Sequence, residues 1–281
     1  MFLFLQWIIE DNNRRKYIIM TVYLNFWFSI KGIAQIIDIF EKEKHDIRFI
    51  GGCVRDALLG NKSSDIDFAI SCDPNTTAKL LMENKIEILE YGKKFGTIIA
   101  VIGKKNFEIT SLREDKNQSG RYTEVQFTDD WQKDALRRDL TFNAINIKPT
   151  GTIEDYFNGQ NDIKLHQVKF IGSIEERIKE DYLRIPRYFR FLGLFENPNL
   201  IEGYEEVLYK NLPQLREHVS NDLMRHELLK MLKNKFKMNS ILNPQNSNKV
   251  NTLINTIREW WTEDQYELGL HKCMNKIDKL I

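Results

Sequence analysis

The sequence predicts an α+β protein whose first half is mixed and whose second half is helical. Three observations carry that reading. Up to about residue 150, short apolar runs are broken by tight turns: Ile47-Arg48-Phe49-Ile50 stops at Gly51-Gly52, Gly96–Ile102 is rich in β-branched residues, and Phe107–Leu112 alternates. From Ile174 onward the pattern is helical nearly throughout. With 281 residues, 42% of them hydrophobic and 29% charged, there is ample core for one large or two modest domains. The border is placed near Thr150, giving 31–150 and 151–281 after an extension over 1–30.

Taken in order, the extension comes first. Tyr17–Ile30 offers about fourteen mostly apolar residues, interrupted by Asn25. A membrane-spanning helix needs roughly 20, so the stretch reads as a packing helix, or as sequence upstream of a start at Met20, and not as an anchor. Ala34–Glu43 reads as a helix with Ile36, Ile37 and Phe40 on one face. After the Ile47–Ile50 strand and the diglycine, a short helix places Val54, Leu58 and Leu59 on one face, and Gly60 closes it. Asp65–Ile70 alternates as a strand, with Ile66, Phe68 and Ile70 inward and Asp65 and Asp67 on the opposite face. Asp73-Pro74 starts a helix over Asn75–Glu83, and Ile86–Leu89 is strand-like. The polar stretch Glu114–Thr123 reads as a flexible loop and Trp131–Asn146 as a helix. Gly151–Gly159 is a turn-strand-turn element, and the Asn-rich segment Asn239–Asn251 reads as a mobile loop.

Charge and cysteine usage narrow the function classes. A net charge of +1 rules out a global polycation, so any nucleic-acid contact must come from local patches such as Arg225–Lys249. Three scattered cysteines without a Cys-x-x-Cys and five histidines without a ligand spacing argue against a disulfide framework or a structural zinc. That usage suits a reducing, cytoplasmic compartment.

The first informative stretch is Gly51-Gly52-Cys53-Val54-Arg55-Asp56-Ala57-Leu58-Leu59-Gly60 with Asp65-Ile66-Asp67 behind it. A strand, a diglycine, a helix carrying Arg-Asp and an Asp-x-Asp strand make a phosphate cradle facing a metal site. Two carboxylates at i and i+2 lie roughly 6–7 Å apart along a strand, a spacing that can bracket a pair of divalent cations. No Walker A loop occurs. Glu108, on the alternating strand 107–112, is either an ordinary exposed glutamate or a third carboxylate for the same site.

The second is Glu180-Asp181-Tyr182-Leu183-Arg184-Ile185-Pro186-Arg187-Tyr188-Phe189-Arg190. On one helix Asp181, Arg184, Arg187 and Arg190 form a slowly drifting stripe. It is either a self-paired solvated face or a reader of nucleobases. An Asp acceptor beside an Arg donor matches the amine and ring nitrogen of cytosine and adenine and opposes guanine and uracil. Each mismatch costs on the order of 1–3 kcal/mol in a closed site. Pro186, in mid-helix on this reading, costs about 3 kcal/mol or bends the stripe.

Together with Phe-Glu-Ile-Thr-Ser-Leu-Arg (107–113), Arg-Arg-Asp-Leu-Thr-Phe-Asn-Ala (137–144) and Asp155-Tyr-Phe-Asn-Gly159, these stretches resemble the class II tRNA nucleotidyltransferases (CCA-adding enzymes) and bacterial poly(A) polymerases of the polymerase-β-like nucleotidyltransferase superfamily. Order and spacing follow that family from about Arg48 to Arg190, with a weaker echo over Val219–Lys230. The resemblance implies a nucleotidyltransferase head with a small mixed β-sheet, then an all-α neck and a shortened body. It implies Mg²⁺ on the catalytic Asp65 and Asp67, and leaves Glu108 as the candidate third catalytic carboxylate. Gly52, Arg55 and Arg138 would meet the triphosphate, Asp181 and Arg184 the base, and Arg187 and Arg190 would support both. The implied reaction adds C or A from CTP or ATP to the tRNA 3′ end, with the acceptor stem gripped by the body and neither membrane nor protein partner involved. Poly(A) addition to general RNA, or a truncated non-catalytic RNA-binding remnant, are the alternatives.

Overall fold

The computed structural model describes residues 23–119, 122–243, 245–263 and 268–281. The chain divides into two compact units: Met1–Lys116 with Glu124–Arg138 and Phe142–Gln160, and Asn117–Thr123 with Asp139–Thr141 and Asn161–Ile281.

The first unit is built on a sheet. Its elements begin with α1 (Ile33–Lys42), β1 (Ile47–Ile50), α2 (Gly52–Leu58), β2 (Asp67–Ile70), α3 (Pro74–Glu83), β3 (Glu87–Leu89), β4 (Thr97–Ile102) and β5 (Lys105–Ser111). There follow β6 (Arg113–Ser119), β7 (Tyr122–Phe127), α4 (Trp131–Leu136), β8 (Asn146–Ile147) and β9 (Ile153–Glu154). Seven strands join in the order β3-β4-β5-β2-β1-β8-β9. All neighbours run antiparallel except β2 and β5, which are parallel.

Period-two alternation sorts this sheet into an apolar and a polar face. Phe49 pairs with Phe68, Phe68 with Ile109 and Ile109 with Ile98, so four fully buried side chains share one face. Their rings continue into the N-terminal segment: the Trp27 and Phe49 centroids lie 4.7 Å apart, and those of Phe49 and Phe68 5.1 Å apart. Residues 23–28 are helical, and Trp27 is fully buried, so this part of the extension packs as the sequence predicts. The expectation for Tyr17–Val22 lies outside the described residues. Helices α1 and α3 cover the sheet, and the Asp73 carboxylate caps α3 by accepting from the Asn75 and Thr76 amides.

The polar face carries Arg48, Asp67, Ala69 and Glu108. A small second cluster of Ile50, Ala69 and Leu112, with Trp131 against it, closes part of this face. Ala69 is therefore buried as fully as the inward residues of β2. In α2 the buried residues are Cys53, Val54 and Ala57, while Leu58 and Leu59 are half-buried. Gly60 follows at φ 82°, the left-handed turn expected of a helix stop.

Three expectations are corrected in this part of the chain. Asp65 precedes β2 and lies exposed in the loop leading to it, so the Asp-x-Asp pair is shared between a loop and the first strand residue. The described residues of Glu114–Thr123 are strand and not loop: they supply most of β6 and the start of β7, which form a two-stranded sheet. The predicted helix over Trp131–Asn146 stops at Leu136. A 3₁₀ turn follows at Thr141–Asn143, and Asn146-Ile147 pairs with β1. Sheet pairing overrides the local helical periodicity there.

After α5 (Gly159–Lys164) the second unit is helical, with α6 (Ile174–Glu180), α7 (Arg184–Leu192), α8 (Tyr204–Asn211), α9 (Gln214–His218), α10 (Asn221–Lys233), α11 (Met238–Ile241), α12 (Thr252–Glu263) and α13 (Leu268–Asp278). Helix α7 packs on α10 and α11, and Tyr188 stacks on Phe170 with centroids 6.0 Å apart. The Asn-rich segment is partly ordered into a hairpin, β10 (Leu242–Asn243) with β11 (Asn246–Val250). Asn251, fully buried, caps α12 by accepting from the Ile254 amide and donates to the Ser240 carbonyl.

The continuous stripe over 181–190 is also corrected. Helix α6 ends at Glu180 and α7 begins at Arg184, leaving Asp181 in the connection, where its carboxylate accepts from the Leu183 amide. Pro186 is thus the third residue of α7, in the turn whose N–H groups have no helical partner in any case. The Tyr182 carbonyl that a residue here would use is taken by the Ile185 amide. Pro186→Ala is expected to change stability by less than about 1 kcal/mol in urea unfolding, whereas a mid-helix proline would make the same change stabilise by about 3 kcal/mol.

Candidate active site

The turn from β1 into α2 runs through Gly51 at φ 71° and ψ −131°, a conformation open to glycine and strained for other residues. No side chain caps α2. A side chain at Gly52 would stand against the Arg55 guanidinium. Arg55 is held from two sides: its Nε and Nη2 donate to Asp56 Oδ1 at 2.9 and 2.7 Å, and its Nη1 donates to Asn143 Oδ1 at 3.2 Å.

Register, not sequence proximity, assembles the carboxylates. Asp67 is the first residue of β2 and lies directly opposite Glu108 in the parallel β2–β5 pair. Burial, reinforced by the Glu108 and Asp65 charges and eased by the Arg138 guanidinium, pushes the Asp67 carboxyl up to about 7. Among the described residues no three acidic, His or Cys side chains converge as a ready-made metal cage. The donors are all carboxylate oxygens, and their mutual repulsion is the kind a hard divalent cation relieves, so the set fits such an ion.

Arg138 reaches this region from the end of α4. Its Nε and Nη2 donate to Asp134 Oδ2 at 3.3 and 3.0 Å, and its Nη1 donates to the Asn143 carbonyl at 3.3 Å. Asn143 therefore holds Arg55 with its side chain and Arg138 with its main chain, joining two motifs separated by some eighty residues of sequence. Sequence reading quotes Asn143 within its motif and assigns it no role. Only the 3₁₀ turn that follows α4 reveals it.

In the second unit the predicted base and phosphate contacts are found in ion pairs. Arg184 is buried, donates to the Arg177 carbonyl at 2.8 Å and pairs with Glu180. Arg187 donates through Nε to Asp139 Oδ2 at 2.7 Å, and the Asp139 charge raises its pKa. Arg190 pairs with Glu227 at 2.5 Å and lies over the Phe191 ring at 3.9 Å. Asp139 and Glu227 are partners that sequence reading does not name; both are acids whose relevance shows only once helices pack.

Comparison with known proteins agrees with the assembled motifs. Residues 47–169 match the family described as the poly A polymerase head domain. CCA tRNA nucleotidyltransferase 1, mitochondrial, of Homo sapiens is 48% identical over 164 residues, 58% of this chain and 38% of its own length. The CCA-adding enzyme of Geobacillus stearothermophilus is 33% identical over 202 residues, 70% of this chain and 48% of its own length. The chain thus spans less than half the length of these curated relatives. Among solved structures, the Bacillus stearothermophilus CCA-adding enzyme in complex with CTP superposes with a TM-score of 0.65 at 31% identity, covering 74% of this chain and 49% of that one. The Thermotoga maritima CCA-adding enzyme complexed with tRNA shares the fold, with a TM-score of 0.66 at 22% identity, over 89% of this chain and 57% of that one. Over residues 47–169, therefore, the chain carries a poly A polymerase head domain, a nucleotidyltransferase head similar to that of these CCA-adding enzymes.

Proposed function

We propose that this protein is a template-independent nucleotidyltransferase that adds C and A from CTP and ATP to the 3′ end of tRNA, gripping that end and the acceptor stem. The observation that carries the proposal is Asp67, set in register against Glu108 beside the Arg138 and Arg55 guanidiniums that Asn143 holds. Acid and base stand where a triphosphate and its charge-neutralising cation meet. On this reading residues 31–150 are the head and 151–281 supply the neck and body helices, with residues 1–30 ahead of them.

Each residue's role follows from its charge. Gly52 leaves the main chain of the turn open to phosphate oxygens, and Arg55 and Arg138 neutralise them. Asp65 and Asp67 hold Mg²⁺, which when bound lowers the pKa of the attacking 3′-hydroxyl and neutralises the leaving pyrophosphate. Glu108 completes the carboxylate set. The 3′-hydroxyl attacks the α-phosphate in line and pyrophosphate leaves. Asp181 accepts from, and Arg184 donates to, the edge of the base, while Arg187 and Arg190 support that reader through their pairs with Asp139 and Glu227.

Three buried, unpaired cysteines fit a reducing compartment such as the cytoplasm. Among the described residues no helix is long and apolar enough to cross a membrane. The test is incorporation of CTP and ATP into tRNA ending at the discriminator base, after C and after CC, with product sequencing. Ordered C, C and A addition is expected, and its loss in Asp65→Ala. Untemplated A tracts on unrelated RNA would instead make the protein a poly(A) polymerase. Mg²⁺-dependent nucleotide binding without any turnover would make it a binding remnant.

A further inference from the structure

Helix α4 is short, and its one buried charge has an unusual set of partners. Asp134 is 3% exposed. Its Oδ1 accepts from Arg137 Nε at 2.9 Å, from Arg137 Nη2 at 2.7 Å and from the Arg113 amide at 3.3 Å. Its Oδ2 accepts from Arg138 Nε and Nη2. Burial by itself would raise its pKa, but the Arg138 and Arg137 guanidiniums outweigh burial and hold the carboxyl below the usual range. Asp134 does not cap α4: Asp130 does, accepting from the Gln132 and Lys133 amides.

One guanidinium would neutralise a buried carboxylate. Asp134 takes two, one on each oxygen, each by a pair of N–H groups, and so fixes the planes of both. The Arg113 side chain adds a third cation to the neighbourhood, since Arg137 and Arg138 help burial to lower its pKa to about 10. Asp115 Oδ1 stands 3.8 Å from Arg113 Nε, while Arg137 and Arg138 share the single charge of Asp134, a pairing that leaves positive charge for a polyanion. Free arginine side chains lose rotamer freedom when they grip phosphate; arginines already locked by a fork lose little.

We infer that Asp134 is a positioning residue: it never touches the nucleotide, and it aims Arg137 and Arg138 as a preset pair at the triphosphate. The inference rests on the nucleotide reading of Arg138 and adds to it the residue that sets Arg138's direction and a second arginine, Arg137, acting with it.

The test compares Asp134→Asn, Arg138→Ala and the double variant by steady-state addition to tRNA lacking its CCA end, with melting temperatures alongside. Asparagine keeps the shape of the fork and one oxygen while removing the charge. Asp134→Asn is expected to raise KM for CTP and ATP on the order of 10²-fold, with a much smaller change in kcat. Adding Arg138→Ala to it is expected to change KM by no more than about 2-fold, since Asp134→Asn has already released Arg138 along with Arg137. Unchanged KM with a lowered melting temperature, or multiplicative effects in the double variant, would overturn the inference. A second measurement stands apart from activity: the Nε–H resonances of Arg137 and Arg138 in the ligand-free protein. They are expected to be protected from water exchange in the wild type and to lose that protection in Asp134→Asn. Equal protection in both proteins also overturns the inference. A wild-type protein that adds no nucleotide would sink the functional reading instead, leaving the resonances to decide Asp134.

Discussion

Asp67→Asn is expected to abolish nucleotide addition and, in metal-free buffer at pH 8, to make the protein more stable. The loss of activity follows from removing the best-placed donor of a charge-neutralising cation, worth several kcal/mol of barrier or a rate loss of roughly 10³-fold or more. The gain in stability follows from linkage. Asp67 titrates near 3.8 when unfolded and is pushed up to about 7 when folded, by burial and by the Glu108 and Asp65 charges. Between those values the folded protein binds the extra proton, so stability falls as pH rises. Below the lower value both states are protonated and no cost remains; above the upper one the full cost persists. At about 1.4 kcal/mol per pH unit, discounted because the carboxylate is only partly buried, the cost is about 2–4 kcal/mol. Thermal unfolding in EDTA at pH 5 and pH 8 should therefore show a larger drop for the wild type than for Asp67→Asn. Magnesium should raise the wild-type melting temperature at pH 8 and leave the variant's unchanged. Parallel pH slopes for the two proteins would sink this account of Asp67.

The strands that build this site were legible because each announces itself locally. Ile47–Ile50 is a short apolar run ending on glycines, and 107–111 alternates, so β1 and β5 were readable and Asp67 and Glu108 fell on polar faces. That Asp67 stands opposite Glu108 was not readable, because a parallel pair joins strands separated by α3, β3 and β4 and its register is set by the whole sheet. The same holds for α4. Trp131–Leu136 has helical periodicity, but what stops the helix is the pairing of Asn146-Ile147 with β1, far away in sequence. Asp181 failed differently. Its spacing to Arg184 suits one helix, yet its carboxylate satisfies the Leu183 amide and so favours a turn, a competition that short acidic side chains often win. Pro186 looked disruptive only because the helix start was placed too early.

Glu227→Ala is expected to destabilise the second unit by about 3–5 kcal/mol, the cost of leaving a buried charge without its partner. The Glu227 side chain is 4% exposed and that of Arg190 12%, with 2.5 Å between them. The pair joins α7 to α10, and Lys230 adds only a longer contact of 3.6 Å from a half-exposed position. Desolvation makes such a pair poor evidence of stability in itself, so replacing both members tells more than replacing one. Arg190→Met with Glu227→Met is expected to recover stability to within about 1–2 kcal/mol of wild type in urea unfolding. The double variant also separates two roles for Arg190. As a support, held by Glu227 and by the Phe191 ring 3.9 Å away, it can be replaced by a well-packed apolar pair with KM for CTP and ATP changing less than about 3-fold. Were its guanidinium to touch phosphate, stability would return while KM rose at least about 10-fold, the loss of one charged hydrogen bond. The first result is expected, because Glu227 already takes the Arg190 Nε and Phe191 lies under its plane, an orientation directed into α10 and its own helix.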